Sequence, residues 1–407
     1  MKITIDNITT EVEAGTTVLE AARKINVDIP TLCYLEGMEP LGACRMCVVE
    51  VEGAKNLVAS CSTPVRDGMV VKTTSARVRA ARRTVVELLL SEHEGDCQLC
   101  ERGEDCELQD VANKLGIKGI TYAGDKPKQY FDESTPALVR DTGKCIKCRR
   151  CMEVCKAVQN VGALAAQNRG YATVIGPAFA QNLDTVVCVQ CGQCAAVCPV
   201  GAITENSHIG GVWEALDNPA KHVVVQTAPA IRAALGECFD YEPGTLVTGK
   251  MVSALRRLGF DKVFDTNFTA DLTIMEEGTE LLTRLKSVLA DKQEAALPQF
   301  TSCSPGWIKF AEHMYPDILP NISSCKSPQQ MFGAMAKTYY AEQNNIDPKD
   351  MVVVSVMPCT AKKYEAQREE MNDSGYQDVD YVLTTRELGR MIKQAGIDFH
   401  KLEDDQM

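Results

Sequence analysis

Apolar and polar residues alternate along the first 76 residues in the manner of short, half-buried strands. Ile3 and Ile5 alternate with polar neighbours, and Val48–Val51 and Met69–Val71 predict two further strands. The stretch Val18–Ile25 instead carries its apolar residues at helical spacing. This pattern predicts a small domain of several strands and one helix.

From residue 215 onward, strand patterns alternate with helix patterns. We predict strands at His222–Gln226, Lys262–Phe264, Leu297–Phe300, Met351–Val356 and Val379–Leu383. We predict helices at Ile231–Leu235, Asp271–Leu289, Pro305–Met314, Thr360–Arg368 and Thr385–Ala395. This alternation predicts an α/β layer with a mostly parallel sheet, whose ligands gather beyond the C-terminal ends of the strands. Cys303 and Cys359 each follow a predicted strand, where such a site is expected.

Composition narrows the class of protein. The chain has 407 residues, 45% of them hydrophobic, which suits about two to four domains with buried cores. A net charge of −12 argues against nucleic-acid binding, which needs a basic surface. No apolar run is long enough to span a membrane, and the N-terminus lacks the apolar core of a signal peptide. We therefore expect a cytoplasmic protein in a reducing, anoxic cell.

Nineteen cysteines in a chain without an export signal indicate metal ligands rather than disulfides. Fifteen of them lie between residues 33 and 198 and fall into four groups. The first group is Cys33, Cys44, Cys47 and Cys61. Its spacing is similar to that of plant-type [2Fe–2S] ferredoxins, although the first gap is longer. A zinc site is the alternative, but the β-rich surroundings resemble the ferredoxin β-grasp fold and favour iron.

The second group includes a histidine. A helical pattern at Arg77–Ser91 is followed by His93, Cys97, Cys100 and Cys106. Three thiolates do not complete a [4Fe–4S] cubane, and a neutral imidazole would supply the fourth ligand and raise the cluster potential. The same spacing occurs in the complex I iron–sulfur subunit and in iron-only hydrogenases, which this stretch resembles.

The third and fourth groups form an internal repeat with the spacing Cys-x2-Cys-x2-Cys-x3-Cys, the second run starting 43 residues after the first. In two-cluster ferredoxins, which these runs resemble, the fourth cysteine of each run ligates the cluster of the other run. The resemblance implies one [4Fe–4S] cluster on Cys145, Cys148, Cys151 and Cys198. It implies a second on Cys188, Cys191, Cys194 and Cys155.

Two C-terminal stretches resemble the first two signature motifs of the [FeFe]-hydrogenases. They are Phe300-Thr301-Ser302-Cys303-Ser304-Pro305-Gly306-Trp307 and Met357-Pro358-Cys359-Thr360-Ala361-Lys362-Lys363-Tyr364-Glu365. The cysteine groups stand in the same order as in that family, so the resemblance covers essentially the whole chain. It implies an H-cluster, in which a cysteine joins a [4Fe–4S] cubane to a diiron centre with carbonyl, cyanide and dithiolate ligands. The implied reaction is the reversible combination of two protons and two electrons into dihydrogen.

The same resemblance implies roles for individual residues. Cys359 matches a cubane ligand, and Cys303 matches the cysteine that passes protons to the bridging amine. The positions that match those lining the diiron ligands are Pro229, Ala230, Gln329, Met357, Pro358 and Lys362. The family's proton path is similar to a route from Cys303 through Glu277, Ser323, Glu280 and Arg284. The two glutamates and the arginine are spaced to share one helix face, although such a stripe is ordinarily a solvated surface.

The chain departs from the family pattern in two places. The usual first motif has two adjacent cysteines, whereas Cys303 is followed here by Ser304. Either Ser304 ligates the cubane through oxygen, or Cys303 changes role and ligates. The family's third motif, with two further ligand cysteines, does not occur before Met407. We therefore expect the N-terminal portion of a longer hydrogenase, inactive alone because it has one secure cubane ligand of four.

These features predict an α+β multidomain protein. The predicted domains are a β-grasp [2Fe–2S] ferredoxin-like domain (1–76), a small His-ligated [4Fe–4S] domain (77–125), a two-[4Fe–4S] ferredoxin domain (136–208) and part of an α/β H-cluster domain (215–407). The predicted cofactors are one [2Fe–2S] cluster, three [4Fe–4S] clusters and, in the completed chain, the H-cluster. Cys238 and Cys325 are predicted to be packing residues, with a ligand role for Cys325 as the alternative.

Two functions remain open from the sequence. The first is an [FeFe]-hydrogenase subunit whose clusters relay electrons to or from ferredoxin or a flavin-containing NAD(P)H dehydrogenase subunit. No glycine-rich dinucleotide fingerprint occurs, so NAD(P)H chemistry would belong to that partner. The second is a non-catalytic electron-transfer subunit similar to the complex I iron–sulfur subunit.

Overall fold

The computed structural model describes residues 1–122 and 126–407, which form two compact units. The first unit comprises residues 1–134, 139–188 and 193–204, and the second comprises 135–138, 189–192 and 205–407. The predicted domain boundary at residue 125 lies outside the described residues. None of the helices in the described ranges has the length and apolar character that crossing a membrane requires.

The chain up to residue 205 consists of short elements. They are β1 (Lys2–Ile5), β2 (Ile8–Glu11), α1 (Val18–Lys24), β3 (Val48–Val51), β4 (Val58–Ala59), β5 (Met69–Lys72), α2 (Ala76–Glu92), α3 (Glu107–Lys114), β6 (Phe131–Asp132), β7 (Leu138–Asp141), α4 (Arg150–Glu153), β8 (Ala165–Gln167), β9 (Val174–Gly176), α5 (Gln193–Ala196) and β10 (Ile203–Glu205). The predicted strands and helices of this region are present within about two residues of their expected ends.

The N-terminal sheet has the strand order β2-β1-β5-β3-β4, and α1 belongs to the same core. The alternation predicted for β1 is confirmed, because Ile3 and Ile5 are buried. A capping box between Thr17 and Glu20 begins α1 and satisfies its first backbone N–H groups, which stabilises the helix by about 1 kcal/mol. Loops leaving this sheet carry the first cysteine group.

The chain from residue 206 onward carries longer helices. The elements are α6 (Ile209–Leu216), β11 (His222–Thr227), α7 (Ile231–Ala234), α8 (Thr248–Leu258), β12 (Lys262–Asp265), α9 (Asn267–Leu289), α10 (Pro305–Met314), α11 (Pro328–Met335), α12 (Ala341–Gln343), β13 (Met351–Met357), α13 (Ala361–Ala366), β14 (Tyr381–Thr384) and α14 (Thr385–Gln394). A π-helical turn at Ala336–Tyr340 joins α11 to α12.

The predicted parallel sheet is confirmed as four strands in the order β12-β11-β13-β14, all parallel. Every residue of β13 is buried, as expected for a parallel strand covered on both faces. Each such valine contributes about 1.5–3 kcal/mol by leaving water. Thr227 pairs with Val356, so β11 and β13 end together and their following loops lie at one edge of the sheet.

One predicted strand is wrong. Leu297–Phe300 forms only an isolated bridge between Phe300 and Ile322, because Pro298 has no N–H to donate to a sheet ladder. The prediction that Cys303 follows a strand is therefore also wrong, whereas Cys359 does follow β13. Helix α9 also begins four residues before the predicted start at Asp271.

Candidate iron–sulfur sites and active site

The four sulfurs of the first group share hydrogen bonds. The Sγ atoms of Cys47 and Cys61 lie 3.4 Å apart, and the Cys33 sulfur is hydrogen-bonded to Cys44 and Cys61. The hydrogen bond from Cys44, followed by that from Cys61, lowers the pKa of Cys33 to about 2. The hydrogen bond with Cys61 lowers the pKa of Cys47 to about 6. Four sulfurs held this close together form a soft donor set that bound iron would satisfy.

Different parts of the N-terminal fold supply these cysteines. Cys44 and Cys47 lie in the loop before β3, and Cys61 lies in a single 3-10 turn directly after β4. Cys33, Cys47 and Cys61 are almost completely buried. The pairing of β3 with β4 thus brings Cys61 back to the loop that carries Cys44 and Cys47.

His93 directly follows α2 as its C-cap residue. It is 8% exposed, and its Nδ1 atom is buried without a hydrogen-bond partner. Burial lowers its pKa, and the nearby Lys126 and Lys144 charges act in the same direction. An unpartnered nitrogen on a neutral, buried imidazole fits a metal ligand, since a buried polar atom without a partner is otherwise costly.

The three cysteines after His93 lie close together within the first unit. Cys106 precedes α3, and burial followed by the neighbouring Cys100 and Cys97 raises its pKa. Gly201 has no room for a Cβ atom, which would stand 2.5 Å from the sulfur of Cys100. The glycine therefore leaves space that the Cys100 side chain occupies.

One cavity in the first unit gathers sulfurs from both cysteine runs. Its lining includes Cys145, Cys148, Cys151 and Cys198. Burial raises the pKa of Cys145 to about 11 and that of Cys148 to about 12, and the charges of other cysteines in the set act in the same direction. Cys155 does not line this cavity. The grouping matches the exchange of the fourth cysteine that two-cluster ferredoxins have.

The remaining cysteines of the two runs occupy separate elements. Cys155 lies in a π-helical turn at Val154–Val158, Cys194 lies in α5, and Cys188 is buried. Cys191 lies in the segment 189–192, which belongs to the second unit. In residues 1–122 and 126–407, no three His, Cys, Asp or Glu side chains are arranged as ligands of a single metal ion.

The predicted diiron-lining residues come together at the C-terminal edge of the parallel sheet. Pro229 and Ala230 follow β11, Met357 ends β13, and the backbone N–H of Ala228 donates to the Val356 carbonyl at 3.0 Å. Pro358 and Cys359 follow in the next two positions. The strand pairing therefore places the loops after β11 and β13 side by side, as the topology of parallel sheets predicts.

A hydrogen bond joins the first motif to the second. The Nζ atom of Lys362 donates to the Cys303 carbonyl at 2.8 Å. Ser304 precedes α10, and its side chain makes no capping hydrogen bond with the helix. Serine is ordinarily among the best capping residues, so this helix start departs from the usual pattern.

Of the predicted relay residues, Glu280, Ser323 and Arg284 are joined by hydrogen bonds, whereas Glu277 is not bonded directly to Cys303. The Ser323 hydroxyl donates to Glu280 at 2.6 Å, and Arg284 donates to the other oxygen of Glu280 at 2.5 Å. Glu277 accepts from the backbone N–H and hydroxyl of Ser302, at 3.3 and 3.4 Å, rather than directly from Cys303. Cys325 borders this group, with its sulfur 3.8 Å from a Glu280 oxygen.

Sequence reasoning gave no role to Gln190, Gly192 or Thr360. The Thr360 hydroxyl donates to the Gln190 carbonyl at 2.8 Å, and both residues are buried. Gly192 has φ +74°, and a Cβ atom there would stand 2.5 Å from the Thr360 hydroxyl oxygen. The residue after Cys359 thus holds the segment that carries Cys191, a contact that sequence spacing does not reveal.

Family models account for most of the chain. Residues 221–407 match the C-terminal domain of the iron only hydrogenase large subunit, and residues 1–76 match a 2Fe-2S iron-sulfur cluster binding domain. Residues 82–121 match an NADH-ubiquinone oxidoreductase-G iron-sulfur binding region, and residues 144–202 match a 4Fe-4S dicluster domain. Bound iron–sulfur clusters are therefore cofactors of this protein.

Similar proteins agree with these matches. The chain is 55% identical, over its whole length, to the NADP-reducing hydrogenase subunit HndD of Solidesulfovibrio fructosivorans. It is 43% identical, over 99% of its length, to iron hydrogenase 1 of Clostridium pasteurianum, and it covers 70% of each of these two proteins. A solved [FeFe]-hydrogenase is 48% identical over 49% of this chain and 50% of its own, with a TM-score of 0.47. The chain belongs to the iron-only hydrogenases.

Proposed function

We propose that this chain is the part of an [FeFe]-hydrogenase that carries four accessory clusters and the first portion of the H-cluster site. The reaction is the reversible combination of two protons and two electrons into dihydrogen. One observation carries the proposal: Lys362 of the second motif binds the Cys303 carbonyl of the first motif, beside the sheet edge where Cys359 lies.

The accessory clusters would transfer electrons between the partner protein and the active site. We assign a [2Fe–2S] cluster to Cys33, Cys44, Cys47 and Cys61 in a β-grasp domain (1–76). We assign a [4Fe–4S] cluster to His93, Cys97, Cys100 and Cys106 in the second domain (77–125). The domain at 136–208 holds two further [4Fe–4S] clusters, one on Cys145, Cys148, Cys151 and Cys198 and one on Cys188, Cys191, Cys194 and Cys155. The shared cavity of the first of these sets supports the exchange of the fourth cysteine.

The domain at 215–407 supplies the residues that would hold the H-cluster. Cys359 would ligate the cubane. We assign the cubane ligand of the first motif to Ser304, whose side chain does not cap α10, rather than to Cys303. The residues that would surround the diiron centre are Pro229, Ala230, Gln329, Met357, Pro358 and Lys362. When bound, the H-cluster supplies the redox centre at which protons and electrons combine. The orphaned, buried Oε1 atom of Gln329 supports a bound group in this region.

The chain's own residues move the proton. Cys303 is exposed and would hand protons inward, while Glu280, Ser323 and Arg284 form the outer end of the path. Burial acts to raise the pKa of Glu280, but the hydrogen bonds from Ser323, Arg284 and Ser324 outweigh it and lower that pKa. Glu280 therefore rests as a carboxylate near neutral pH.

We further propose an NAD(P)-linked flavoprotein or a ferredoxin as the electron partner, in the cytoplasm. The relative from S. fructosivorans is named as a subunit of an NADP-reducing hydrogenase, which supports the first partner. A purely electron-transferring role is disfavoured, because residues 221–407 match the hydrogenase C-terminal domain.

The proposal is tested by hydrogen evolution from a reduced viologen, with full-length protein that has received its H-cluster through coexpressed maturation enzymes. We expect evolution by the wild type and its loss in Cys359→Ala, which has no ligand atom at this position. Cys238→Ala is the matched control, because Cys238 packs against Gly389. Evolution that survives in Cys359→Ala would contradict the proposed site.

A further inference from the structure

Glu365 is a buried carboxylate for which the resemblance implies no role. It lies in α13 and is 3% exposed. One of its oxygens accepts hydrogen bonds from the Ser327 hydroxyl at 2.9 Å and from Nε2 of Gln329 at 3.0 Å. The Nζ atom of Lys362 lies 2.9 and 3.1 Å from its two oxygens. Three donors from two segments therefore converge on one carboxylate.

Two of these donors belong to residues proposed to line the diiron centre. Lys362 and Gln329 stand 33 positions apart in the chain, and Gln329 Nε2 also donates to the Lys362 carbonyl at 3.2 Å. Lys362 in turn donates to the Cys303 carbonyl. Glu365 thus links α11, α13 and the first motif through short, charge-assisted hydrogen bonds, which are stronger than neutral ones.

The network also fixes the orientation of the Gln329 amide. Both partners of Nε2 are acceptors, a carboxylate and a carbonyl. A reversed amide would set its oxygen against those two acceptors, so only the observed orientation satisfies them. The same orientation leaves Oε1 buried and without a hydrogen-bond partner. The hydrogen bond with Glu365 therefore leaves Oε1 of Gln329, rather than Nε2, without a partner in the protein.

We propose that Glu365 is a positioning residue of the diiron site, holding the Lys362 ammonium and the Gln329 amide in the orientation that the diiron ligands require. The inference rests on the proposed function. Glu365 touches no group assigned to the diiron centre itself and acts through its two neighbours. A carboxylate is needed because it offers acceptors only, and all three donors can bond to it at once.

A second buried ion pair, which joins α13 to α14, provides a matched control. Lys363 and Glu387 are both fully buried and 2.8 Å apart. Glu387 also accepts from the backbone N–H groups of His208 and Thr384. None of these partners belongs to the residues proposed for the diiron site. Glu387→Gln therefore perturbs a still more deeply buried pair without touching Lys362 or Gln329.

The first test needs no cofactor. In unmatured full-length protein, the acylation rate of each lysine by an amine-reactive reagent is measured by mass spectrometry. In Glu365→Gln, Lys362 should react at least about tenfold faster, relative to the exposed Lys349, because charge-assisted bonds no longer hold its amine. Glu387→Gln should leave that ratio unchanged. An equal ratio in wild type and Glu365→Gln would overturn the proposal.

The second test uses matured full-length protein and the infrared bands of iron-bound cyanide and carbonyl. We expect Glu365→Gln to shift the cyanide bands in the same direction as Lys362→Met, while Glu387→Gln keeps the wild-type bands. Wild-type cyanide bands in Glu365→Gln, together with shifted bands in Lys362→Met, would overturn the proposal. A matured wild type without any such bands would instead contradict the proposed function. The acylation test would then still show whether Glu365 holds the Lys362 amine.

Discussion

The Ser323 hydroxyl lies 2.6 Å from the Glu280 carboxylate, whose other oxygen accepts from Arg284. This joins two segments 43 residues apart, since Glu280 is in α9 and Ser323 follows Ile322 in the loop paired with Phe300. The stripe of α9 that sequence alone describes as an ordinary solvated face is thus tied to a loop near the first motif. We propose that it forms the outer part of the proton path.

Replacing Glu280 by glutamine should slow turnover and leave the clusters intact. A glutamine accepts the Ser323 hydrogen bond but does not take up and release a proton. We therefore expect hydrogen evolution to fall by roughly 10²- to 10⁴-fold, the usual contribution of a proton-transferring group. Glu276→Gln is the control, because Glu276 is an exposed carboxylate of the same helix. Turnover within about twofold of wild type in Glu280→Gln would remove this residue from the path.

Replacing Cys198 by serine should remove the same cluster as replacing Cys148. Both side chains line one cavity, although they belong to different cysteine runs. Electron paramagnetic resonance and Mössbauer spectra of anaerobically reconstituted protein would count the clusters. We expect Cys155→Ser to remove a different cubane, and Cys238→Ser to remove none. If Cys155→Ser and Cys148→Ser removed the same cubane, each run would be ligating its own cluster.

The side chain at position 304 should decide whether the cubane of the second unit binds. Ser304 precedes α10 without capping it, so its oxygen is available as a ligand. In full-length protein we expect Ser304→Ala to lose this cubane, Ser304→Cys to keep it and Cys303→Ala to keep it while slowing turnover. Iron analysis together with Mössbauer spectra would report the result. Loss in Cys303→Ala with retention in Ser304→Ala would assign the ligand role to Cys303.

Stability of the second unit should fall below neutral pH because of His208. Burial, followed by the charge of Lys363, lowers the pKa of His208 to about 4, and its Nδ1 atom accepts from the Val382 N–H at 3.1 Å. Its unfolded pKa is about 6.5, so as pH falls from about 6.5 to 4 the unfolded chain takes up a proton that the folded unit excludes. The free energy of unfolding should drop by up to about 3 kcal/mol over this window.

Urea unfolding followed by tryptophan fluorescence measures this effect, because both tryptophans, Trp213 and Trp307, lie in the second unit. His208→Gln keeps an acceptor but does not titrate, so its stability should depend less steeply on pH across the window. An identical pH dependence in wild type and His208→Gln would show that another group is responsible.

Sequence patterns predicted the elements well where one physical signal dominated. The strand at Met351–Val356 and its helix were found because a fully buried parallel strand is a continuous apolar run. The run Leu297–Phe300 was also predicted as a strand, but Pro298 has no N–H to donate to a sheet ladder, and the hydrophobic pattern does not show this. The cysteine groups were found because ligand spacing is local in the chain.

The rest of the site depends on contacts between distant residues. Glu365 follows Lys362 by one helical turn, so their ion pair was within reach of sequence reasoning. Its hydrogen bonds with Ser327 and Gln329 were not, because they join residues more than thirty positions apart. The contact of Thr360 with Gln190 spans 170 positions and depends on packing alone. Long-range polar networks therefore needed the structure.

The most direct test of the account is an infrared spectrum of the full-length protein, produced anaerobically with and without H-cluster maturation enzymes. We expect bands of iron-bound carbonyl and cyanide in the matured sample only, and their loss in Cys359→Ala. A matured, cluster-loaded wild-type protein that shows no such bands would contradict the assignment of the second unit to an H-cluster.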